Sequence, residues 1–451
     1  MQASDIARRL AAFEGRGAGT DAERRAAVWL ASEVRAGRRR AALQSFWCRP
    51  NWALGHAWHT LAAIIGSLLA VHHGALGGAI VLAALLSVLS DGLSGHSIGR
   101  RLTRERASQN VISPPRERSG DGGGREAPPG ASADNTRRIR LIVTANYDAG
   151  RTGLAYRDWV RAPVARLKRL AGDGRCTPGW LGWLVIAMLW LLAVAVLRHE
   201  GATGTPIGVA QLIPTAALVI ALALLLELAG APFGPAAGDN GAGAAVVLAL
   251  ARAFDATPPS RLDVELVLQG AGEAAMTGLR RHLRARRAEL HATDTIVLGI
   301  AGAAAGAPGW WVSDGTLIPL GFLPRLRRLA AQTAAVAPGP GGHVAPVRGR
   351  GVSPALPARA RGLPALTIGL RDRRGLAPRS HQAGDRIEAL DPEAIDALLQ
   401  FALTLVDAID ADLARRSPID QLHSQQLRDG HERVTASTQR VDDVRESGQG
   451  L

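Results

Sequence analysis

The sequence is poor in cysteine, lysine and aromatic residues. Cys48 and Cys176 are its two cysteines, and aromatic residues make up 4% of the chain. Two cysteines without CxxC spacing support neither a disulfide framework nor a cysteine-based structural zinc site, and they agree with a reducing, cytosolic environment. Lys168 is the only lysine, so the formal net charge of +14 comes almost wholly from arginine.

A basic chain often binds nucleic acid or an anionic membrane. Here no basic cluster is interleaved with aromatic residues, and no nucleic-acid-binding motif is present. We therefore expect no nucleic-acid partner. The first thirty residues are amphipathic and charged, without the apolar core that a cleavable signal peptide requires. Export by that route is not expected.

Long apolar runs predict two membrane hairpins. The first hairpin would consist of 52–71 and 75–89, and the second of 179–197 and 207–226. Three of these runs are long enough to approach the hydrocarbon thickness as helices, while 75–89 is short and would cross as a return arm. The alternative, buried core helices, suits runs of about 10–14 residues better than these longer ones.

Two hairpins return the chain to the side on which it started. Residues 1–51, 90–178 and 227–451 would then share one compartment. The hairpin tips carry a single arginine, Arg198, whereas the shared side is rich in arginine near the predicted span ends. Because such an excess marks the cytoplasmic side, we expect a multi-pass plasma-membrane protein whose soluble domain faces the cytoplasm and whose partner is the lipid bilayer.

Outside the apolar runs, strands alternate with helices. Strands are predicted at 40–47, 108–113, 139–145, 264–268, 295–300 and 365–370. Helices are predicted as a packed pair across 4–36, with Thr20 capping the second, and at 241–254, 276–289 and 392–413. This alternation predicts an α/β fold of three layers, α/β/α, with a mostly parallel mixed sheet, interrupted by the two hairpins.

The predicted organisation has six parts. They are the N-terminal helices and first strand at 1–51, a transmembrane hairpin at 52–90, a continuation of the soluble domain at 91–178, a second hairpin at 179–229, the main part of the domain at 230–415, and a flexible tail at 416–451. A stretch rich in Gly, Pro, Ser and charge predicts a disordered insertion at 114–136. The polar tail lacks aromatic residues.

Polar residues follow several predicted strands, at the places where metal hydrolases with α/β sheets carry their ligands. Asn146 and Asp148 follow the strand at 139–145, and Glu273 follows the strand at 264–268. Asp239 opens a helix of small residues, and His381 with Asp385 follows the strand at 365–370.

With this order and spacing, the sequence resembles the family-28 zinc metallopeptidases, whose aminopeptidases carry two zinc ions and whose relatives, the glutaminyl cyclases, carry one. In that family a His-x-Asp ends a central strand and an Asp-Asn-x-x-Gly opens a helix. A Glu-Glu pair, a further Asp and a final His-x-x-x-Asp follow. The opening helices, with Gly17-Ala18-Gly19-Thr20 between them, also resemble the start of that family.

The resemblance implies one zinc site. Asp239 matches the bridging carboxylate of the family, Glu273 the second member of the Glu pair, and His381 the last histidine. Two carboxylates and one imidazole with an open position are also a suitable donor set for a catalytic zinc ion on chemical grounds.

The departures from the family pattern imply lost chemistry. Asn146 replaces a histidine ligand and Gly299 replaces an aspartate ligand, so the second zinc site is degenerate. Gly272 occupies the position of the general base, which leaves no carboxylate to take a proton from metal-bound water. Shifting the register by one residue would instead make Glu273 the base and Ala274 the lost ligand; we prefer the ungapped register because glycine spacing at tight turns is constrained.

Each candidate residue also has a simpler interpretation. Asp239 could cap the following helix, Glu273 could be a charge favoured by the helix dipole, and His381 could be a hydrogen-bonded surface histidine. Asp148, which in the family orients a metal-bound histidine, has no histidine to orient here. Asp385 would cap the turn toward the final helix.

We expect a membrane-anchored relative of the zinc aminopeptidases with a degraded active site, which binds a peptide or protein partner and retains at most one zinc ion. The alternative is an active single-zinc peptidase, amidohydrolase or cyclase that takes its base from Asp148, Asp294 or another carboxylate. A transporter is disfavoured, because Glu227 is the only acid expected within the spans and it lies near an end.

Overall fold

The computed structural model describes residues 2–116, 138–170, 177–336 and 344–415. The predicted insertion at 114–136 lies almost entirely outside the described residues, and the predicted tail at 416–451 lies wholly outside them.

The centre of the described chain is a mixed sheet of nine strands in the order β1-β2-β4-β3-β5-β9-β6-β7, with β8 paired to β6. The four central strands β4, β3, β5 and β9 run parallel, and antiparallel pairs flank them on both sides. The strands are β1 Ala42–Cys48, β2 Arg106–Ser113, β3 Ile139–Asn146, β4 Leu262–Gln269, β5 Thr295–Ala301, β6 Ala307–Asp314, β7 Leu320–Gly321, β8 Ala345–Arg348 and β9 Ala365–Arg371.

The helices of the described residues are numbered in chain order. They are α1 Ala3–Ala11, α2 Asp21–Ala36, α3 Trp52–Ala70, α4 Gly74–Ser94, α5 Ile98–Arg101, α6 Asp158–Leu170, α7 Trp180–His199, α8 Thr205–Gly230, α9 Gly243–Ala256, α10 Thr277–Ala285, α11 Pro324–Val336, α12 Leu356–Ala360 and α13 Pro392–Ala414. The Thr20 hydroxyl accepts a hydrogen bond from the Glu23 N–H at 3.2 Å, which confirms the predicted cap of α2.

The core lies between the sheet and two groups of helices. Strands β3 and β5 consist mostly of buried aliphatic residues because helices cover the sheet around them. Helix α9 packs against β3, β4 and β5, with α1 and α13 beside it, and α2 packs against β1 and β2. The predicted pair of N-terminal helices therefore packs mainly against other elements. Helix α10 covers the face of β4 that carries Glu265, whose carboxylate binds Arg286 at 2.5 Å.

Four helices of the described chain are long and apolar enough to cross a membrane by length and composition: α3, α4, α7 and α8. We call α3 and α4 the first hairpin, and α7 and α8 the second hairpin. The four helices form a bundle in which α3 contacts α4 and α8, and α7 contacts α4 and α8. Helix α4 has 21 residues, so the prediction of a short return arm at 75–89 was wrong.

The elements that the sequence patterns missed lie mainly at one edge of the sheet. Strand β6 begins with Ala307, Pro308 and Gly309, residues that normally interrupt strands, and β7 and β8 are too short to show an alternating pattern. Helices α6, α11 and α12 were also not predicted. The strands that were predicted differ from the observed ones by one or two residues at their ends.

Candidate functional site

The candidate site lies where the parallel strands end. Asn146 is the last residue of β3, and the loop that carries Glu273 follows Gln269 at the end of β4. Because parallel strands present their carboxyl ends at one edge of a sheet, residues far apart in sequence meet there. The loop after β9 brings His381 to the same place.

Glu273 and His381 form an ion pair at the centre of this site. The Glu273 Oε2 and His381 Nε2 atoms are 3.2 Å apart. The other carboxylate oxygen, Oε1, accepts hydrogen bonds from the side-chain amides of Asn146 at 3.0 Å and Asn240 at 2.6 Å. The His381 Nδ1 atom lies 3.0 Å from the Arg151 carbonyl oxygen, and the Tyr156 ring stacks on the imidazole at 4.2 Å between ring centroids.

The two members of the pair stabilise each other's charged form. Burial by itself favours neutral Glu273, but the nearby His381 and the amide hydrogen bonds outweigh it and hold the pKa of Glu273 below its usual value. Burial likewise favours neutral His381, and here the charges of Glu273 and Asp239 outweigh it and raise the pKa of His381 to about 9. The pair is therefore a carboxylate and an imidazolium at neutral pH.

Asp239 lies beside this pair, on the irregular turn Ala237–Ala242. Its Oδ2 atom accepts a hydrogen bond from the Ser380 hydroxyl. Burial and the charge of Glu273 raise the pKa of Asp239. The turn makes no side-chain cap to α9, so the simpler interpretation of Asp239 as a helix cap is wrong.

Asp385 supports Asp239 rather than the final helix. Its two carboxylate oxygens accept hydrogen bonds from the backbone N–H groups of Gly238 and Asp239, each at 2.9 Å. Burial raises the pKa of Asp385 to about 7. The final helix α13 is capped by Asp391 instead, so the prediction that Asp385 caps the turn toward that helix was wrong.

Asp148 holds the loop that carries Glu273. Its carboxylate is fully buried and accepts hydrogen bonds from the N–H groups of Gly272 at 2.9 Å and Glu273 at 3.0 Å. A Cβ atom added at Gly272 would overlap the Cβ of Asn146, so Asn146 occupies the space that a side chain at position 272 would need. Glu273 is thus the residue of this loop that contacts His381.

Two residues considered from the sequence lie away from the site. Gly299 is in the middle of β5. Ala301 ends this strand, and it lines the cavity described below together with the next residue, Gly302. No carboxylate is present at Gly299, Ala301 or Gly302. Asp294 precedes β5 at the strand's opposite end, so it cannot supply the missing base.

Several residues of the site were not predicted from the sequence. Asn240 and Ser380 bind the two carboxylates, and Tyr156 and Arg151 position His381. Asn240 could have been recognised, because it directly follows Asp239 in the Asp-Asn motif. The other three carry no local pattern, because their positions depend on loops that fold back over the strand ends.

The three candidate zinc ligands do not gather as a metal site. Their chemistry is suitable for zinc, but Asp239 is bound by Ser380, while Glu273 and His381 bind each other. Within the described ranges no three His, Cys, Asp or Glu side chains are placed to hold a metal ion. As arranged here, the residues do not fit the implied zinc ion.

A cavity of about 700 Å³ extends from this site toward the four apolar helices. Asp239, Glu273 and His381 line one end of the cavity. The other end is lined by the first turns of α3 and α7 and by the last turn of α4, including Trp52, His56, Asp91 and Trp180. The candidate site therefore opens toward the ends of both hairpins.

Buried polar residues connect the first hairpin to the soluble domain. Asp91 of α4 binds His56 of α3 at 3.0 Å and Arg100 of α5 at 2.5 Å. The His59 imidazole, one turn further along α3, lies 2.9 Å from the Ser87 hydroxyl. The expectation that Glu227 is the only acid in the spans was therefore wrong, because α4 extends to Ser94 and includes Asp91.

Comparisons with known proteins confirm the family resemblance and the fold. Residues 227–406 match Peptidase family M28. A zinc aminopeptidase from Bacillus subtilis has 14% sequence identity and a TM-score of 0.50, over 90% of this chain and 94% of that chain. No match was found among curated proteins. Residues 227–406 thus resemble the M28 peptidases, and the sheet and helices share the fold of the zinc aminopeptidase.

Glutaminyl cyclases are also among the similar solved structures. The enzyme from Porphyromonas gingivalis has 13% identity and a TM-score of 0.47, over 90% of this chain and 96% of that chain. The enzyme from Bacteroides thetaiotaomicron has 10% identity and a TM-score of 0.49, over the same shares.

Proposed function

We propose that this chain is a membrane-anchored M28 peptidase-like protein that binds a peptide or protein partner in its cavity without hydrolysing it. The observation that carries the proposal is the geometry at Gly272. Hydrolysis by a metal-bound water needs a base beside the metal, and Asn146 fills the space where the side chain of that base would lie. Neither of the other carboxylates considered as a base is free to replace it: both oxygens of Asp148 accept backbone hydrogen bonds, and Asp294 lies at the far end of β5.

The end of the cavity that carries Glu273 and Asp239 can accept the amino terminus of a peptide. Glu273 and Asp239 are close together there, and the pKa of Glu273 is held below its usual value, so at least this carboxylate is charged at neutral pH. A protonated α-amine can displace His381 or Ser380 from these oxygens and form charge-assisted hydrogen bonds. Peptide binding in this form needs no zinc ion.

Binding is tested with full-length protein in detergent and a fluorescent peptide that has either a free or an acetylated amino terminus. The free peptide is expected to bind about tenfold more tightly, since hydrogen bonds between charged groups contribute roughly 1.5–3 kcal/mol. Glu273→Gln should remove this preference, whereas Glu289→Gln, an exposed carboxylate, should not. Equal affinity for both peptides would contradict the proposal.

Metal content and turnover form the second test. After incubation with zinc and removal of free metal, we expect well below one zinc ion per chain and no hydrolysis of aminoacyl anilides. His381→Ala and Asp239→Asn are then expected to behave as the native chain does. One zinc ion per chain that is lost in both variants, together with turnover that is lost in the same variants, would overturn the proposal.

A single-zinc peptidase, amidohydrolase or cyclase is the second candidate function. One observation favours it: the Arg151 carbonyl holds His381 Nδ1, and metal-binding histidines are usually held through their second nitrogen in this way. For this function Asp239 would have to leave Ser380 and turn toward Glu273 and His381. The metal measurement distinguishes the two candidates.

The proposed orientation places the soluble domain in the cytoplasm. It is supported by the arginine excess on the side of the chain that the two hairpins share. In a variant whose native cysteines are replaced by alanine, Thr203→Cys at the tip of the second hairpin should react with an impermeant maleimide added to intact cells. Arg284→Cys in the soluble domain should react only after lysis. The reverse pattern would show the opposite orientation.

A further inference from the structure

The end of the cavity that faces the four apolar helices differs in chemistry from the end that carries Glu273 and Asp239. Trp52 begins α3 and Trp180 begins α7, and their rings lie 5.2 Å apart between centroids. Trp183, one turn further along α7, also lines the cavity and is largely exposed. Tryptophan is enriched where membrane proteins meet the lipid headgroups. An apolar wall therefore joins the two hairpins at the level expected for the membrane surface.

Two arginines lie beside this wall. Arg100 donates from Nε to Asp91 at 2.5 Å and from Nη1 to the Arg49 carbonyl at 3.3 Å. Arg280, on α10, donates from Nε to the Ala275 carbonyl at 2.9 Å. Its two terminal nitrogens have no acceptor among the described residues, although the side chain lines the cavity and is only partly exposed.

The charge near Arg280 is not balanced. The Asp91 carboxylate is already bound to Arg100 and His56. Arg100 and Arg280 both line the cavity, and the pKa of Arg280 is lowered first by burial and then by the positive charge of Arg100, which the Asp91 carboxylate only partly offsets. Over the whole cavity, lining arginines outnumber lining acids. An anion between Arg100 and Arg280 would remove this repulsion and provide an acceptor for the terminal nitrogens of Arg280.

We propose that this end of the cavity binds an anionic amphiphile that enters from the bilayer, with its phosphate group between Arg100 and Arg280 and its apolar chain against Trp52, Trp180 and Trp183. Arginine binds phosphate through paired hydrogen bonds. The tryptophan wall can contact the apolar chain of a lipid, and a free phosphate ester has no such chain. A phospholipid headgroup and a soluble phosphate share the anionic chemistry. The wall at the hairpin ends favours the lipid.

This inference rests on the membrane anchoring in the proposed function, but it uses different side chains from the peptide site. Anchoring is measured separately: the chain should remain in membranes washed with alkaline carbonate. Loss of the chain from washed membranes would count against anchoring. Unselective binding of lipid by a chain that stays in the membrane would count against this inference alone.

The test uses the full chain in a neutral detergent and native mass spectrometry. The probes are dioctanoyl phosphatidylglycerol, dioctanoyl phosphatidylcholine and glycerol 3-phosphate. We expect the anionic lipid to bind about tenfold more tightly than either other probe. Arg280→Gln should reduce its affinity about tenfold, Arg280→Lys should retain part of it, and Arg284→Gln, an exposed arginine on the same helix, should retain all of it.

Three results would overturn the proposal. Equal binding of the two lipids would show that the headgroup charge is not recognised. Binding of glycerol 3-phosphate as tight as that of phosphatidylglycerol would show that the tryptophan wall is not used. Equal losses of lipid affinity in Arg280→Gln and Arg284→Gln would show a diffuse effect of charge. The Arg280→Lys variant is the control for folding, because it keeps a positive charge at the same position and should keep part of the affinity.

Discussion

The two hairpins have similar lengths, but the second is the more apolar, and they differ in how they are built into the molecule. Most of α3 is buried, whereas less than a quarter of α8 is. The first hairpin contains the buried polar residues His56, His59 and Asp91, and it binds Arg100 of the soluble part. The comparison shows that the less apolar hairpin contains the most buried of the four helices.

The second hairpin carries fewer buried polar residues than the first, namely Gln211 and Thr215. The Glu227 carboxylate, near the end of α8, accepts weak hydrogen bonds from the Leu154 N–H at 3.3 and 3.2 Å. Gln211 connects α8 to α3 by donating to Ser67. Since much of α7 and α8 is exposed in the described chain, we infer that this hairpin provides most of the surface that lipid would cover.

The largest difference between the hairpins is expected from their acidic residues. Asp91→Ala leaves Arg100 and His56 buried without their partner, which should cost about 3–5 kcal/mol of stability. Glu227→Ala removes only exposed hydrogen bonds and should cost at most about 1 kcal/mol. Thermal unfolding in detergent measures both. Similar losses of stability in the two variants would show that the first hairpin is not bound more strongly to the rest of the chain than the second.

A smaller difference is expected from glycine positions. A Cβ at Gly77 would overlap the Gly66 carbonyl oxygen and the backbone of Ala70, because α3 and α4 pack closely there. Gly77→Val should therefore destabilise the chain by about 1–3 kcal/mol. Gly208 in α8 has no atom within 4 Å of its Cβ position, so Gly208→Val should change stability by at most about 0.5 kcal/mol. Equal melting temperatures of the two variants would contradict the close packing of the first hairpin.

The smallest effect is expected where the two hairpins meet. Gln211→Leu removes the donor to Ser67 and the acceptor of the Arg198 Nε–H, and it should cost about 0.6 kcal/mol per lost hydrogen bond, the usual size between membrane helices. Ile213→Leu, at an exposed position nearby, should leave the melting temperature unchanged. A loss of several kcal/mol of stability in Gln211→Leu would mean that hydrogen bonds also contribute strongly to the packing of the second hairpin.

Most of the sheet could be predicted because its central strands are continuous runs of aliphatic residues. Strands β3 and β5 need burial on both faces, which their composition shows directly. Strand β6 could not be predicted, because Pro308 and Gly309 occur in it and only its pairing with β7, β8 and β9 makes it a strand. Helix α4 was predicted too short because its last turn contains Asp91, whose burial depends on Arg100 and His56.

The candidate site could be predicted in part. Glu273 and His381 follow strand ends, and the parallel sheet brings them into contact. Two features of the site could not be predicted: the position of Gly299 within β5, and the clash of a side chain at Gly272 with Asn146. Both depend on exact backbone positions, which the spacing of residues in the sequence does not give. The binding of Ser380 to Asp239 depends on how the loop after β9 folds back.

The sequence by itself determined the class of fold, the four apolar helices and the set of polar residues at the strand ends. These follow from hydrophobic periodicity and length, which are local properties of the chain. Only the tertiary structure decided that Glu273 pairs with His381, that Asn146 fills the space beside Gly272, and that one cavity connects this site with the hairpin ends. The physical reason is that hydrogen bonds and packing clashes act over a few ångströms, so they depend on contacts between segments more than a hundred residues apart.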